Sequence, residues 1–455
     1  MATTYLTRTP SSNGTSGTTF TFSAWVKRSG IANIPRIFEF YNNTSNYISL
    51  RFRDDGSNAS KLQFYSESGG SGYQLTTAQS FRDLNAYYHF VMVVDTTEST
   101  DTNRLKLYVN GSRVTEFGSG GYANIYPSLN HNMNFNNSGN VQYIGRKWEN
   151  SDYFDGLMTH IHFIDGTAYQ ASTFGETDAT TGIWKPKTAP SVTYGTNGFF
   201  LKGENSSALG TDSSGRGNNF TVNGTPTQTI DTPSNVFATG NPLYKWSYNQ
   251  TQTNGNTSFA GTQNQWQGAS STLGISKGKY YFEVKITNDN GLSNGSSAML
   301  IGFMGLDDYN ISNPSRNLVA LYSYDGGEIF VADATNSTAT TADYGTFATN
   351  DIMGVALDYD NELISFYKNG SAIATNFDYG AVATSDTLKD GKTITPVFVS
   401  YGTNAVSANF GNGFFGTTAV ASATTDASGL GIFEYTVPSG YYALCTKNIN
   451  AQEYS

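Results

Sequence analysis

Apolar residues in this chain recur at every second position, and nowhere over a useful length at the three-and-four spacing of a helix face. Phe20, Phe22, Ala24 and Val26 alternate with Thr21, Ser23, Trp25 and Lys27, and Ile48, Leu50 and Phe52 repeat the pattern. A period of two puts one set of side chains on one face of a strand. Tyr88 to Val94 (YHFVMVV) is continuously apolar, as the central strand of a sandwich would be. Leu105, Leu107 and Val109 alternate again and run into Asn110-Gly111. A second Asn-Gly, Asn369-Gly370, follows the strand-like Leu363 to Tyr367. This dipeptide suits the two-residue hairpin turn, whose central residues both need positive φ.

Composition agrees with β-structure and narrows the function. Charged residues make up 14% of the 455, against roughly 25% in ordinary globular chains. The 48 Gly, 30 Tyr and 29 Phe supply turns and large apolar area. A net charge of -10 argues against nucleic acid, whose phosphates need clustered Lys and Arg. No run of like charges points to a membrane surface, and no apolar run is long enough for membrane insertion. Cys445 stands alone, so no intramolecular disulfide forms and folding in a reducing cytoplasm is expected. Met1-Ala-Thr-Thr-Tyr-Leu lacks the basic and apolar regions of a signal peptide, so none is expected. The chain reaches its first strand within about twenty residues, so attachment to any larger particle is expected through a sandwich face, the connector or the tail.

The predicted architecture is all-β, with two β-sandwich (jelly-roll) domains joined by an irregular connector and a short C-terminal β tail. The boundaries are 1–190 for the first sandwich, 191–245 for a Gly/Ser/Asn-rich connector, 246–416 for the second sandwich and 417–455 for the tail. The connector is read as structured, because Phe199, Phe200 and Leu201 can pack on the first sandwich. In the tail, Ile432 to Val437 and Tyr441 to Cys445 read as strands.

Three stretches of the first domain, FTFSAWVKRSG (Phe20 to Gly30), YHFVMVVDTT with RLKLYVNGSRV (Tyr88 to Val114) and FDGLMTHIHFIDG (Phe154 to Gly166), resemble laminin-G-like, concanavalin-type sandwiches. The second domain resembles the SPRY sandwich through GKYYFEVKIT (Gly278 to Thr287), MGVALDYDNELISFYKNGSAI (Met353 to Ile373) and TPVFVSYGTNAVSANFG (Thr395 to Gly411). Connector and tail phrases, SALGTDSSGRGNNFTVNG, DTPSNVFATGNP and VPSGYYALCTKNI, are similar to segments of marine bacteriophage structural proteins. That resemblance implies a virion location, as a tail fibre or capsid decoration, and other virion structural proteins as partners. A homo-oligomer, most readily a trimer, fits the polar surface and edge strands.

Candidate sites are few. A glycan hydrolase needs paired carboxylates flanking the scissile bond, and Glu176 with Asp178, or Asp358, Asp360 and Glu362, are poor matches in loops or at a solvated hairpin. His160 and His162 share a strand face as weak metal candidates, but a metal needs three or four ligands. Laminin-G-like domains often hold calcium; Asp54, Asp55, Asp95, Asp101, Asp152 and Asp155 are available, and no residue is assigned. Aromatics can stack on sugars, which singles out Trp148 and Tyr153 in the first domain. The SPRY resemblance implies Tyr309, Arg316 and Tyr324 as a partner-contacting region of the second. The expected function is a non-enzymatic virion surface protein contacting host-surface glycans. The alternatives are a polysaccharide depolymerase and a purely architectural brace.

Overall fold

The computed structural model describes residues 3–31, 33–53, 60–119, 123–244, 246, 248–292, 297–306, 317–323, 326–332, 337–340, 342–383, 388–389 and 391–454. The chain divides into two compact units, residues 1–228 with 232–234, and residues 229–231 with 235–455. Among the described residues no helix is long and apolar enough to cross a membrane.

The first unit is a two-sheet sandwich. Its strands are Tyr5–Arg8 (β1), Thr19–Arg28 (β2), Arg36–Asn43 (β3), Asn46–Arg53 (β4), Lys61–Ser68 (β5), Ser71–Ser80 (β6), Tyr88–Asp95 (β7), Leu105–Val109 (β8), Ser112–Arg113 (β9), Val141–Ile144 (β10), Gly156–Asp165 (β11), Gly175–Thr177 (β12), Trp184–Pro186 (β13), Phe199–Leu201 (β14) and Thr221–Asn223 (β15). One sheet has seven strands in the order β15-β1-β10-β3-β4-β5-β6, the other six in the order β14-β11-β2-β7-β8-β9. The alternation in β2 does what its period dictates. Phe20, Phe22, Ala24 and Val26 are fully buried and face Phe38, Phe40, Ile48, Leu50 and Phe52 of the opposite sheet.

The continuous apolar run of β7 has two causes. Phe90, Met92 and Val94 enter the core, while Val91 and Val93 point outward and are covered by Ala171 and Phe174. Residues 167–194 therefore act as a strap over the outer face of the six-stranded sheet. Its Trp184 donates from Nε1 to Nδ1 of His89 (3.0 Å) on β7.

The segment after residue 190 is irregular but fixed in place. Phe199, Phe200 and Leu201 are buried and pair with β11, and β15 pairs with β1. Asp212 closes the long turn between them by accepting from the backbone N–H groups of Phe200, Ser214 and Asn218.

The second unit is also a sandwich, with strands Thr251–Thr253 (β16), Ser258–Ala260 (β17), Gln263–Ser270 (β18), Lys279–Asn288 (β19), Ala298–Gly305 (β20), Leu318–Tyr322 (β21), Glu328–Ala332 (β22), Ser337–Ala339 (β23), Ile352–Asp358 (β24), Leu363–Lys368 (β25), Ser371–Asp378 (β26), Ile394–Gly402 (β27) and Ala405–Asn409 (β28). One sheet runs β16-β17-β28-β19-β24-β25-β26 and the other β18-β27-β20-β21-β22-β23. Both Asn-Gly turns form with positive φ at both residues, 47° and 86° at Asn110-Gly111 and 49° and 79° at Asn369-Gly370. In each, the Asn side chain also accepts from a backbone N–H of the strand before, His89 in one and Ile352 in the other.

The tail forms a third layer on β19, β24 and β25. Phe433, Val437, Tyr441 and Ala443 pack on Tyr281 and Ala356. The strand Tyr442–Ala443 pairs in parallel with β19. A helix absent from the sequence reading, Thr446–Glu453 (α1), follows it. Its sequence TKNINAQE has no apolar stripe, and it is anchored instead by the Asn448 amide donating to Asp426 and to the carbonyl of Ala443. Glu283, fully buried on β19, accepts from the backbone N–H groups of Glu434 (2.8 Å) and Tyr435 (2.9 Å) and from the Tyr281 hydroxyl (3.2 Å). Burial raises its pKa to about 7 against the pull of these donors.

Two outcomes are expected. Phe22→Ala removes a ring 4.0 Å from that of Phe38 and should cost about 3–5 kcal/mol in chemical denaturation of the first unit. Glu283 has a folded-state pKa above its unfolded one, so its contribution to stability is complete below about pH 4.5 and is lost as pH rises through about 7. The second unit should therefore lose up to about 3 kcal/mol between pH 4.5 and 8. Glu283→Gln should remove that slope in melts recorded across this range, and an unchanged slope would refute the assignment.

Candidate functional site

A sandwich has two outer faces, and the chain dresses those of the first unit differently. The strap of residues 167–194 covers the six-stranded sheet. The outer face of the seven-stranded sheet carries polar and aromatic side chains set one residue out of phase with the core. Phe38 and Phe40 point in, so Glu39 and Tyr41 point out; Ile48, Leu50 and Phe52 point in, so Tyr47, Ser49 and Arg51 point out. On β5 and β10 the outward positions are Gln63, Tyr65, Glu67 and Tyr143.

Cross-strand register lines these residues up. Tyr41 is opposite Tyr47, and the Tyr47 and Tyr65 rings lie 5.9 Å apart. The loop after β10 then folds back over the face. Gly145, at φ 89°, turns the chain out of the sheet, and Asn150 and Asp152 take left-handed conformations at the return. Trp148 is thereby laid flat on Tyr41, with centroids 4.3 Å apart and planes 13° from parallel. Tyr5 and Tyr153 approach to 6.0 Å at the other side. Tyr5, Tyr41, Tyr47, Tyr65, Tyr143, Trp148 and Tyr153 are all half-buried, so each ring keeps surface for a ligand.

The floor between the rings is ionic and rigid. Glu39 has no exposure; it accepts from Arg36 Nε at Oε2 (3.0 Å) and from the Trp148 backbone N–H at Oε1 (2.9 Å). Burial raises its pKa, and the Arg36 guanidinium opposes that shift. Arg36 also lies 3.6 Å from Asp152. Gln63 is held by donating to Gln74 (3.3 Å) and Thr76 (2.9 Å). Its carbonyl oxygen therefore faces Arg51, which donates to it from Nε (2.8 Å). Arg146 stacks over Tyr5 (3.9 Å) and Tyr143 (4.7 Å), with Nε and Nη1 sealed and without an acceptor.

Of the residues singled out from sequence, Trp148 and Tyr153 lie on this face, where the loop they bracket brings them together with Tyr41 and Tyr5. Tyr309, Arg316 and Tyr324 fall outside the described residues. His160 and His162 both lie against Phe200, at 5.8 and 3.9 Å between centroids. A bulge between Thr159 and His162, with His160 at φ 48°, interrupts the alternation there. His162 is buried with Nδ1 on the Tyr194 hydroxyl (3.0 Å), and burial holds its pKa well below the ordinary value.

Among the described residues no three His, Cys, Asp or Glu side chains gather as a metal site. Of the calcium candidates, Asp54 and Asp55 lie outside the described residues, Asp95 and Asp101 cap turns, and Asp152 faces Arg36. Asp155, the last of the described candidates, belongs to no group of three such side chains. The acids weighed for hydrolysis are also spoken for. Asp178 binds Lys185 (2.8 Å) and turn N–H groups, and Asp360 accepts from Gly278 N–H. Asp358, expected to be solvated, is buried against Lys279 at 2.7 Å, because β19 pairs with β24 at that position.

Tyr41, Tyr47, Tyr65, Tyr143 and Arg51 escaped the sequence reading. Their phase against the buried Phe and Ile positions was the available signal. It was masked because Tyr is abundant throughout the chain.

Residues 2–172 match the family model of the concanavalin A-like lectin/glucanases superfamily, and residues 279–413 match that of the SPRY domain. The chain thus carries a laminin-G-type, concanavalin A-like domain followed by a SPRY domain. No curated protein sequence matches it. Among solved structures it is similar to the SPRY domain of human HERC1 (16% identity, TM-score 0.26, 33% of this chain and 87% of that one). It is also similar to domain 4 of AbnA, an extracellular arabinanase of Geobacillus stearothermophilus in complex with arabinotriose (20%, 0.26, 35% and 64%). A third is the mouse laminin alpha1 chain, domains LG4-5 (9%, 0.28, 89% and 85%).

The histidines make a testable pH response. His89 lies between Trp25 (4.7 Å) and Trp184, and its Nδ1 accepts from Trp184, so Nε2 carries the proton toward Ser23 (2.8 Å). Burial lowers its pKa to about 3. Its contribution to stability is complete above about pH 6.5 and is lost as pH falls toward 3. Melts of the full chain should show the first unit weakened by about 2 kcal/mol at pH 5 on this account alone. His89→Phe should lessen that loss.

Proposed function

We propose that the first sandwich is a carbohydrate-binding module that takes saccharide chains across the outer face of its seven-stranded sheet. The observation that carries this reading is the set of half-exposed rings on a rigid, polar floor, led by Trp148 on Tyr41 and continued by Tyr47 and Tyr65. Sugar rings offer flat C–H faces for stacking and hydroxyls for hydrogen bonds, and this face supplies partners for both. The match to a lectin/glucanase superfamily supports the same ligand class. A non-hydrolytic role is favoured because both oxygens of Glu39, the buried acid of this face, are engaged by Arg36 and Trp148.

The whole chain is proposed as a bacteriophage virion surface protein, a tail fibre or capsid decoration, made in the host cytoplasm and assembled as a homo-oligomer, with a trimer favoured. The connector and tail phrases support this location. Repetition over many copies would raise weak single-site affinity through avidity.

The test is glycan-array binding followed by titration of the best hit. Trp148→Ala and Tyr41→Ala should each weaken single-site binding about 5- to 10-fold, the loss of roughly 1 kcal/mol of stacking. Binding unchanged in both variants would remove this face from consideration. Release of reducing ends from a bound polysaccharide would favour the depolymerase.

A further inference from the structure

Two cations of this face have nitrogens that lack acceptors among the described residues: Arg146, whose Nε and Nη1 are sealed beneath the rings, and Arg51, whose free nitrogens reach solvent. Arg51 sits on β4 opposite Arg36 on one side and Gln63 on the other, and it is only 8% exposed. Its Nε is satisfied by Gln63, and its guanidinium plane lies 4.5 Å over the Tyr65 ring. Neither η nitrogen has a hydrogen-bond acceptor or an ion-pair partner among the described residues, and neither is sealed from solvent. The one buried carboxylate of the floor, Glu39, is committed to Arg36 and to the Trp148 backbone. Glu67, on the neighbouring strand, takes the Tyr65 hydroxyl.

Magnitudes make this arrangement informative. An ion taken out of water costs several kcal/mol unless paired, while one desolvated cation–π contact returns only about 2 kcal/mol. The chain has 36 acids against 26 Lys and Arg, so a protein carboxylate for Arg51 was chemically easy to supply. Among the described residues none is bonded to it; Glu39 favours its charge through space but is bonded to Arg36. Burial, with the Arg36 and Arg53 guanidinium groups adding to it, lowers the pKa of Arg51 to about 10. The environment thus disfavours its charge, yet at neutral pH the group stays cationic. The nitrogens left over are the pair whose planar fork matches two oxygens of one anionic group. Tyr65 below the guanidinium plane and the rigid Gln63–Thr76 link fix the direction of that fork.

We propose that Arg51 recognises an anionic substituent, a carboxylate or a sulfate ester, on the saccharide chain bound by this face. The inference rests on the carbohydrate reading of the face and adds the ligand's chemical class. Acidic polysaccharide would lie along the aromatic rings with one charged group per binding site set on the Arg51 fork. The net charge of -10 on the chain does not oppose this at contact range, since interactions between exposed charges are screened beyond about 8 Å at physiological salt.

The experiment compares matched polymers on the full chain by affinity electrophoresis and titration calorimetry. The probes are polygalacturonate and its carboxyl-reduced form, and κ-carrageenan and its desulfated form. Wild-type protein should bind at least one acidic polymer tenfold or more tighter than its neutralised twin, and which pair discriminates identifies carboxylate or sulfate. Because this comparison leaves the protein unaltered, it stands even if a variant misfolds. Arg51→Met should bring the affinity ratio between acidic and neutral twins close to one, and Arg51→Lys should keep part of the preference. Equal binding of acidic and neutral twins by wild type, or a preference undiminished in Arg51→Met, overturns the proposal and leaves the carbohydrate reading standing. Failure to bind any polysaccharide, in this set or on the glycan array, overturns both.

Discussion

A β-sheet has two faces, and only one of them can enter the core of a two-layer sandwich. The rest of this structure follows from how the remaining faces are finished. Alternation buries Phe20, Phe22, Phe38 and Phe40 between the sheets of the first unit, and Phe282, Phe303, Val355 and Phe398 in the second. Where the outward positions are also apolar, extra chain must cover them. Val91 and Val93 require the strap with Phe174, and Tyr281 and Ala356 require the tail with Phe433 and Ala443. Where the outward positions are Tyr, Arg, Glu and Gln, the short loop carrying Trp148 is cover enough: Glu39 and Gln63 lie buried between the rings, and the tyrosines keep exposed surface.

Covering a sheet with irregular chain creates a second problem, because loops expose backbone N–H groups that have no ladder to join. With one cysteine, no disulfide can hold these loops. Buried carboxylates do so instead, each an acceptor with room for several donors. Asp165 gathers the N–H groups of Thr15, Ser16 and Asn197 with the Asn136 amide. Asp426 gathers Leu430, Gly431 and Ala443 with the Asn448 amide. Glu283 does the same for Glu434 and Tyr435. A chain with few charges thus places several of its acids inside, as closures for its turns. Charge-assisted hydrogen bonds, typically about 1.5–3 kcal/mol apiece, oppose the cost of burying each one; at Glu283 they fall short of it, and its pKa stays raised.

This division explains what could be read from the sequence. Strands of seven to ten residues with strict alternation, and the two Asn-Gly hairpins, announce themselves through local rules that the structure obeys. Phe199 to Leu201 were legible for the same reason, three consecutive bulky residues in a polar stretch. The tail helix was not, because TKNINAQE is held by Asp426 and Asn448 and not by an apolar stripe. The bulge at His160 was equally silent, since a non-glycine residue at positive φ leaves no mark in the pattern. Trp148 and Tyr153 stood out because their loop is short and polar. The tyrosines they join lie far away in sequence, and only the strand register brings Tyr41 beneath Trp148.

The same reasoning sets the affinity expected of the face. Tyr41, Tyr47 and Tyr65 sit on hydrogen-bonded strands, and Trp148 is held both by its ring stack and by its backbone N–H on Glu39. Ordering these groups for a ligand therefore adds little entropic penalty. A flat face, however, surrounds a saccharide on one side only, so most of the ligand's hydroxyls remain in water. Under the proposed reading, stacking alone would give weak, sequence-tolerant binding of many sugars. Discrimination has to come from a directional group, and on this floor Arg36, Glu39, Gln63 and Gln74 have spent their directional contacts within the protein. The η nitrogens of Arg51 have not, and unlike the sealed nitrogens of Arg146 they reach solvent, so under the proposed reading selectivity among saccharides would fall to Arg51.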